Sequence, residues 1–171
     1  GGTDLLVGMK QVRGRYPALL DIKAVPELGG IRADNGTITL GATANTRTIA
    51  ASPLVRERLP VLSQALRFLG SMQIGNRATI GGNLSNASPA ADSAPPLLAL
   101  GASAKLVGKA KERWVPLDEF FIGPKKTVID SELLAEVRVP AATKGRGIFF
   151  KLGPRNAPED ICIVSAAVHG V

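Results

Sequence analysis

The interpretation of this sequence depends on one stretch, Gln73-Ile74-Gly75-Asn76-Arg77-Ala78-Thr79-Ile80-Gly81-Gly82-Asn83-Leu84-Ser85-Asn86-Ala87-Ser88-Pro89-Ala90-Ala91-Asp92. In the wider range 70–103 only Arg77 and Asp92 are charged, and small residues dominate. Surface loops are usually more charged, and core segments are usually bulkier. The pattern predicts a loop that approaches a large ligand closely and offers it backbone N–H groups.

A second glycine segment, Gly1-Gly2-Thr3-Asp4-Leu5, lies about eighty residues before Thr79-Ile80-Gly81-Gly82-Asn83-Leu84. Either segment alone could be only a tight turn. Glycines also allow a diphosphate to lie on the main chain, and Gly1-Gly2 leads into a predicted helix start, which favours an anion. No G-x-G-x-x-G follows a strand, and Gly108-Lys109 lacks the rest of a P-loop, which argues against both familiar nucleotide folds.

Composition limits what this chain can do by itself. Its 171 residues are 45% apolar, which argues against disorder and fits one ordinary domain or two small subdomains. One Cys and one His exclude a disulfide framework and argue against a metal site within this chain. We therefore predict no catalytic residue and no metal ligand here, so any redox chemistry needs a bound cofactor.

The net charge of +7 is spread along the chain. Residues 1–103 carry ten basic and six acidic side chains, and residues 104–171 carry eleven and eight, which leaves +4 and +3. We expect no nucleic-acid partner, because no basic cluster stands out. No apolar run approaches the roughly 20 residues of a membrane span, and no signal peptide is visible, so a cytoplasmic protein is expected.

The coarse pattern is α+β. A short helix is predicted over 3–13, a buried strand over 18–23, a hairpin about Asn35-Gly36, and helices over 46–69 broken by Pro53 and Pro60. A helix over 95–100 follows. Short strands then suggest antiparallel pairing: 104–107, 113–117, 133–139, 149–152 and 161–168.

The stretch from Gln73 to Asp92 closely resembles the FAD-binding segment of the molybdenum hydroxylase family, which includes xanthine dehydrogenase and carbon monoxide dehydrogenase. The opening Gly1-Gly2-Thr3-Asp4-Leu5-Leu6 is similar to the family's first flavin loop. Phe149 to Gly153 and Ile161 to Val168 are similar to its later strand pair. The resemblance runs in order along nearly the whole chain.

The resemblance implies a two-subdomain, PCMH-like FAD-binding fold, with a mixed first part and an antiparallel second part. It also implies FAD as the cofactor and assigns its contacts residue by residue. Gly1 to Leu6 and Thr79 to Asn83 would hold the diphosphate and ribityl region, Asp92 would accept a hydrogen bond from FAD, and Lys151 could donate one to a ring carbonyl. The implied cofactor-binding residues are Gly1, Gly2, Thr3, Asp4, Leu5, Leu6, Leu69, Thr79, Ile80, Gly81, Gly82, Asn83, Asp92, Leu134 and Lys151.

Two positions depart from the family pattern. Gly75 stands where a basic residue is common, and Ala78 stands where glycine is usual. The resemblance also implies a fragment, with residues 1–45 ending a first subdomain, residues 46–171 forming a second, and the family's C-terminal domain absent. Arg155 and Asp160 are expected to influence the electrostatics near the flavin.

By resemblance, the chain carries FAD in a multi-subunit hydroxylase. The expected partners are a large molybdopterin subunit, a small subunit with [2Fe-2S] clusters, and NAD or another electron acceptor. An alternative remains open, in which the chain is a non-catalytic scaffold or anion-binding module that keeps the fold without FAD.

Overall fold

The structure, a computed structural model, describes residues 1–12, 16–140, 145–155, 157 and 159–170. Its helices are α1 (Leu5–Gln11), α2 (Thr46–Ala51), α3 (Pro53–Arg58), α4 (Pro60–Arg67), α5 (Met72–Gly75), α6 (Ile80–Asn86), α7 (Ala94–Ala99) and α8 (Leu117–Phe120), with a 3-10 turn at Pro26–Leu28. Its strands are β1 (Ile31–Asp34), β2 (Thr37–Gly41), β3 (Ser103–Val107), β4 (Glu112–Pro116), β5 (Phe121–Gly123), β6 (Lys126–Thr127), β7 (Leu133–Pro140), β8 (Arg146–Leu152) and β9 (Val164–Gly170).

The main sheet has the strand order β1-β2-β7-β3-β4, and every neighbouring pair is antiparallel. Alternate residues of its central strands, such as Ile38, Leu40, Val137 and Val139, are fully buried in a core that the helices share. The α+β class is confirmed. The paired neighbours β2 and β7 of this sheet lie on opposite sides of residue 45 in the sequence. The division into subdomains near residue 45 stays a prediction.

Local sequence signals set several boundaries as predicted. Asn35 and Gly36 both have positive φ, +46° and +74°, which is the geometry of a tight hairpin between β1 and β2. Pro53 and Pro60 begin α3 and α4, because proline is compatible with the first turn of a helix but not with its interior.

Two predictions about local structure are wrong. Residues 18–23 form no strand, and Leu20 is 87% exposed. Apolar residues alone do not make a strand, because a strand also needs a neighbour to pair with. The stretch over 70–103 was predicted as a loop before the helix at 95–100, but it also contains α5 and α6, whereas α7 confirms the helix predicted at 95–100. Capping explains the first two, because Ser71 and Thr79 accept hydrogen bonds from the amides of Ile74 and Gly82.

Strands β8 and β9 form a separate two-stranded sheet that packs on α4 and α7. The Gln64 side chain of α4 joins this hairpin to the helices. Its Oε1 accepts from the Phe149 amide at 3.1 Å, and its Nε2 donates to the Phe149 carbonyl at 3.3 Å. The Phe149 ring is buried, and its centroid lies 6.4 Å from the centroid of the Phe68 ring. Helix α4 therefore packs against this hairpin as well as against α2 and α3.

Asp160 organises the turn that follows β8. Its carboxylate accepts from the Arg155 side chain at 2.8 and 2.5 Å and from the Arg155 amide at 2.8 Å. The Ala157 amide also donates to it, at 3.3 Å. The hydrogen bonds from Arg155 hold the pKa of Asp160 below its ordinary range. The turn thus depends on Asp160 being ionised.

We expect Gln64→Met to destabilise the protein by about 1–3 kcal/mol, because the change leaves a partly buried amide and carbonyl of Phe149 without partners. Urea unfolding followed by Trp114 fluorescence measures the loss, and hydrogen exchange at the Phe149 amide should accelerate. Gln73→Met is the matched control, because Gln73 is exposed on α5. Equal stability of the two variants would contradict this role of Gln64.

We expect Asp160→Asn to remove a stabilisation that depends on pH. Because the folded-state pKa is lowered, the wild-type carboxylate stabilises the fold above about pH 4 and loses that effect as the pH falls through the folded-state pKa. The difference in unfolding free energy between wild type and variant should be largest at neutral pH and shrink in acid. Urea unfolding across that range tests this. Glu119→Gln, at an exposed carboxylate, should follow the wild type throughout.

Candidate functional site

The two glycine segments meet in the structure. A side chain at Gly1 would overlap the Arg77 carbonyl, so the start of the chain lies directly on the backbone that leads into α6. A Cβ atom built on Gly82 would lie 3.9 Å from the Gly1 nitrogen. The segments that the sequence separates by about eighty residues therefore form one surface.

The start of α6 is fixed by its own hydrogen bonds. The Ile80 amide donates to the Ala44 carbonyl at 3.1 Å, and the Gly81 amide donates to the Ala42 carbonyl at 3.0 Å. The Gly82 amide donates to Thr79 Oγ1 at 3.1 Å. The prediction that this segment offers free N–H groups therefore fails for these three amides, because they satisfy acceptors within the protein.

The adjacent glycines Gly81 and Gly82 have different surroundings. A Cβ on Gly81 would lie 2.6 Å from the Ala42 Cβ, which allows no side chain between α6 and the residue after β2. A Cβ on Gly82 would lie only 2.9 Å from the hydroxyl oxygen of Thr79, which would have to shift, and 3.9 Å from the Gly1 nitrogen. Gly81 is thus required for packing, whereas Gly82 borders open space.

That space consists of two adjoining depressions of about 750 and about 390 Å³, together called the glycine cleft here. Both are lined by Gly1, Gly2, Leu5, Thr79 and Gly82. The cleft brings together eleven of the predicted residues: Gly1, Gly2, Thr3, Asp4, Leu5, Leu6, Thr79, Gly81, Gly82, Asn83 and Leu134. Ile80 is instead fully buried in the core.

The smaller depression also contains residues that sequence reasoning misread. Leu19, Leu20 and Ile22 line it beside Gly1 and Leu6, although their apolar character suggested a buried strand. The signal that could have placed these residues in the cleft is their position in the sequence, because the apolar run lies close to the first glycine segment. One wall of the cleft is consequently hydrophobic.

Asp92 and Lys151 form a buried ion pair. Lys151 Nζ donates to Asp92 Oδ2 at 2.8 Å and to the Phe68 carbonyl at 2.7 Å. Their side chains are only 6% and 5% exposed. The family resemblance assigned both residues to the cofactor. That they pair with each other was missed, because no local pattern relates positions 59 residues apart.

Asp92 retains one unused acceptor. Its Oδ1 is buried and has no hydrogen-bond partner among the described residues. Burial raises the pKa of Asp92 above its ordinary range, while the hydrogen bond and charge of Lys151 act in the opposite direction. A buried carboxylate oxygen without a donor is costly, so the geometry suits a ligand that brings one.

A hydrogen bond connects the Asp92 segment to the glycine cleft. Ser93 Oγ donates to Asn83 Oδ1 at 2.5 Å, and Asn83 lines the cleft. Leu69 is buried and follows Phe68, whose carbonyl accepts from Lys151, but it lines a different depression. Arg155 and Asp160 bind each other in the turn after β8, and their expected effect on the flavin stays a prediction.

Within the described part of the chain, no helix is long and apolar enough to cross a membrane. The same residues contain no group of three or more His, Cys, Asp or Glu side chains that could hold a metal ion. What the described site offers is therefore glycine backbone, an apolar wall and one buried carboxylate.

Comparison with known proteins identifies this arrangement. The carbon monoxide dehydrogenase medium chain of Hydrogenophaga pseudoflava is 37% identical over 148 residues, covering 86% of this chain and 52% of that protein. The putative xanthine dehydrogenase FAD-binding subunit of Escherichia coli is 32% identical over 173 residues, covering 99% and 59%. A solved structure of the Hydrogenophaga pseudoflava carbon monoxide dehydrogenase superposes with a TM-score of 0.91 at 33% identity, covering 99% of this chain and 59% of that one.

This chain thus spans between half and three-fifths of the length of these relatives. Residues 1–142 match the family described as the FAD binding domain in molybdopterin dehydrogenase. That match includes both glycine segments and Asp92, and the chain belongs to this family of FAD-binding domains.

Proposed function

We propose that this chain is the flavin-carrying part of a multi-subunit molybdenum hydroxylase. In this proposal a large partner subunit oxidises the substrate at a molybdopterin centre, and a small partner subunit transfers the electrons through [2Fe-2S] clusters. FAD held by this chain supplies the redox chemistry that delivers those electrons to NAD or another acceptor. The observation that carries the proposal is the meeting of Gly1 and Gly82 at one cleft.

The residues present fit FAD in shape. Gly82 leaves open the space that a side chain would fill, and Gly1 lies against the Arg77 backbone. A depression of about 750 Å³ is of the size that a large ligand needs. We assign Gly1 to Leu6 and Thr79 to Asn83 to the diphosphate and ribityl region, with Leu134 beside them.

The residues also fit FAD in polarity. Lys23, Arg77 and Lys125 line the two depressions together with Asp4 and Asp21. Lys23 pairs with Asp21 at 3.4 Å, which leaves Arg77 and Lys125 as the cations beside the space for an anionic diphosphate. Asp92 Oδ1 is a buried acceptor that a hydroxyl or N–H of the cofactor would satisfy. We also assign Lys151, which is buried against Asp92, as a donor to a flavin carbonyl.

A titration of the purified chain with FAD tests the proposal. Binding should shift and sharpen the flavin absorption bands and quench flavin fluorescence, with one FAD per chain. Reduction of the bound flavin by the iron–sulfur partner, measured by stopped-flow bleaching, tests the electron-transfer role. A longer protein containing this chain that also binds no flavin would overturn the proposal in favour of a scaffold without cofactor.

We expect Gly82→Val to weaken FAD binding by about tenfold or more, because its side chain would enter the cleft where Gly1 and Thr79 approach. FAD fluorescence titration measures the loss, and circular dichroism should show an unchanged fold. Gly108→Val is the control, since a Cβ there meets only ordinary contacts at 3.5 Å. Unchanged FAD affinity in folded Gly82→Val would place the cofactor elsewhere.

We expect FAD affinity to rise with pH as Asp92 ionises, because a carboxylate oxygen accepts a stronger hydrogen bond than an oxygen of the protonated carboxyl group. The raised pKa puts this rise above about pH 4, the ordinary range of an aspartate. Asp92→Asn should bind FAD about tenfold more weakly at neutral pH, with no such rise.

Titrations across that pH range, with Asp118→Asn at an exposed position as the control, test this expectation. Should Asp92→Asn unfold because Lys151 loses its carboxylate partner, Asp92→Asn combined with Lys151→Met removes both buried charges. Parallel pH profiles in wild type and folded variant would contradict the role of Asp92.

A further inference from the structure

A second cleft, lined by arginines from three helices, lies apart from the glycine cleft. Arg47 of α2, Arg56 of α3 and Arg67 of α4 surround a cavity of about 360 Å³, which is called the arginine cleft here. Ser71 and Gly75 also line it, and so does Leu69, a residue that the family resemblance assigns to the cofactor. Gly75 contributes no side chain to fill the cavity. None of the residues that line the glycine cleft lines this one.

The charge in the arginine cleft is not compensated. Its described lining contains no acidic residue, and among the described residues none of its three arginines forms an ion pair. Arginines elsewhere behave differently, because Arg32, Arg113 and Arg155 pair with Glu136, Glu132 and Asp160. Even Arg58, on the same helix as Arg56, pairs with Glu57 at 3.3 Å.

Like charges around one cavity repel, although water screens part of this repulsion because the three arginines are exposed. An anion bound between them would relieve this repulsion. Guanidinium groups present paired N–H donors that match phosphate oxygens, which makes arginine the preferred side chain for phosphate recognition. The Ser71 hydroxyl accepts a hydrogen bond from the Ile74 amide, so its own hydrogen can still be donated to a ligand.

We propose that the arginine cleft binds a pyrophosphate group, either as free inorganic pyrophosphate or as the diphosphate of a nucleotide. Free pyrophosphate carries about three negative charges at neutral pH, which match the positive charges of the three guanidinium groups. A cavity of about 360 Å³ lies at the small end of the range for ligand sites, which suits a group of this size. This site is additional to the FAD site of the proposed function, and it does not require that FAD be bound.

Isothermal titration of the purified chain with inorganic pyrophosphate, at low salt and with or without saturating FAD, tests the proposal. Arg56→Gln and Arg67→Gln should each weaken binding by about tenfold, because each removes a charged donor to phosphate. Arg58→Gln removes the same charge from the same helix outside the cleft and should change affinity by less than about twofold. All three residues are exposed, so these variants should retain the fold.

The outcomes separate the arginine cleft from the FAD site. Pyrophosphate binding that persists with FAD and is weakened only by the cleft variants supports the proposal. The proposal is overturned if pyrophosphate does not bind, or if Arg58→Gln weakens binding as much as the cleft variants do. It is also overturned if FAD abolishes pyrophosphate binding and the cleft variants leave it unchanged. A parallel titration with ADP identifies the source, because tighter binding of ADP than of pyrophosphate indicates a nucleotide, and equal or weaker binding indicates the free anion.

Discussion

The contact between Gly81 and Ala42 is the constraint on which the rest of the site depends. The backbone of α6 approaches the end of β2 so closely that no side chain fits between them. Hydrogen bonds from Ile80 and Gly81 to Ala44 and Ala42 hold this approach on one side, and a bond from Thr46 to Ala78 holds it on the other. Because β2 is fixed in the sheet by β1 and β7, the start of α6 is positioned by the most buried part of the molecule.

At this junction between α6 and the end of β2, the two adjacent glycines have different roles. Gly81 allows the close packing, and Gly82 leaves an open surface. The amides of residues 80–82 complete the junction itself, so they are already paired when a ligand arrives. The contribution of this segment to binding is therefore its shape, an open surface at Gly82 against Gly1. Polar recognition then falls to side chains further along the chain, and the bond between Asn83 and Ser93 links the junction to the Asp92 carboxylate.

Local chemistry was readable from the sequence, and long-range pairing was not. The hairpin at Asn35-Gly36 and the helix starts at Pro53 and Pro60 were predicted because each depends on the backbone preference of one or two residues. The glycine segments were assigned to one site by resemblance to a family. The strand at 18–23 was predicted wrongly, since an apolar run cannot reveal whether a partner strand exists. The Lys151–Asp92 pair was missed for the same reason, because only the tertiary fold brings those residues together.

The position of Lys151 shows how the candidate site extends beyond the matched family domain. Lys151 lies after residue 142, where that match ends, on a hairpin outside the main sheet. Successive side chains of a strand alternate between its faces, so Phe149 and Lys151 share the face that packs against the helices. Gln64 holds the backbone of Phe149, and the Phe149 ring is buried beside Phe68, whose carbonyl also accepts from Lys151. The same contacts that anchor the hairpin therefore place a lysine in a buried environment next to Asp92. A charge buried there is tolerated because its partner is ionised, so the anchoring of β8 and the ionisation of Asp92 are energetically linked.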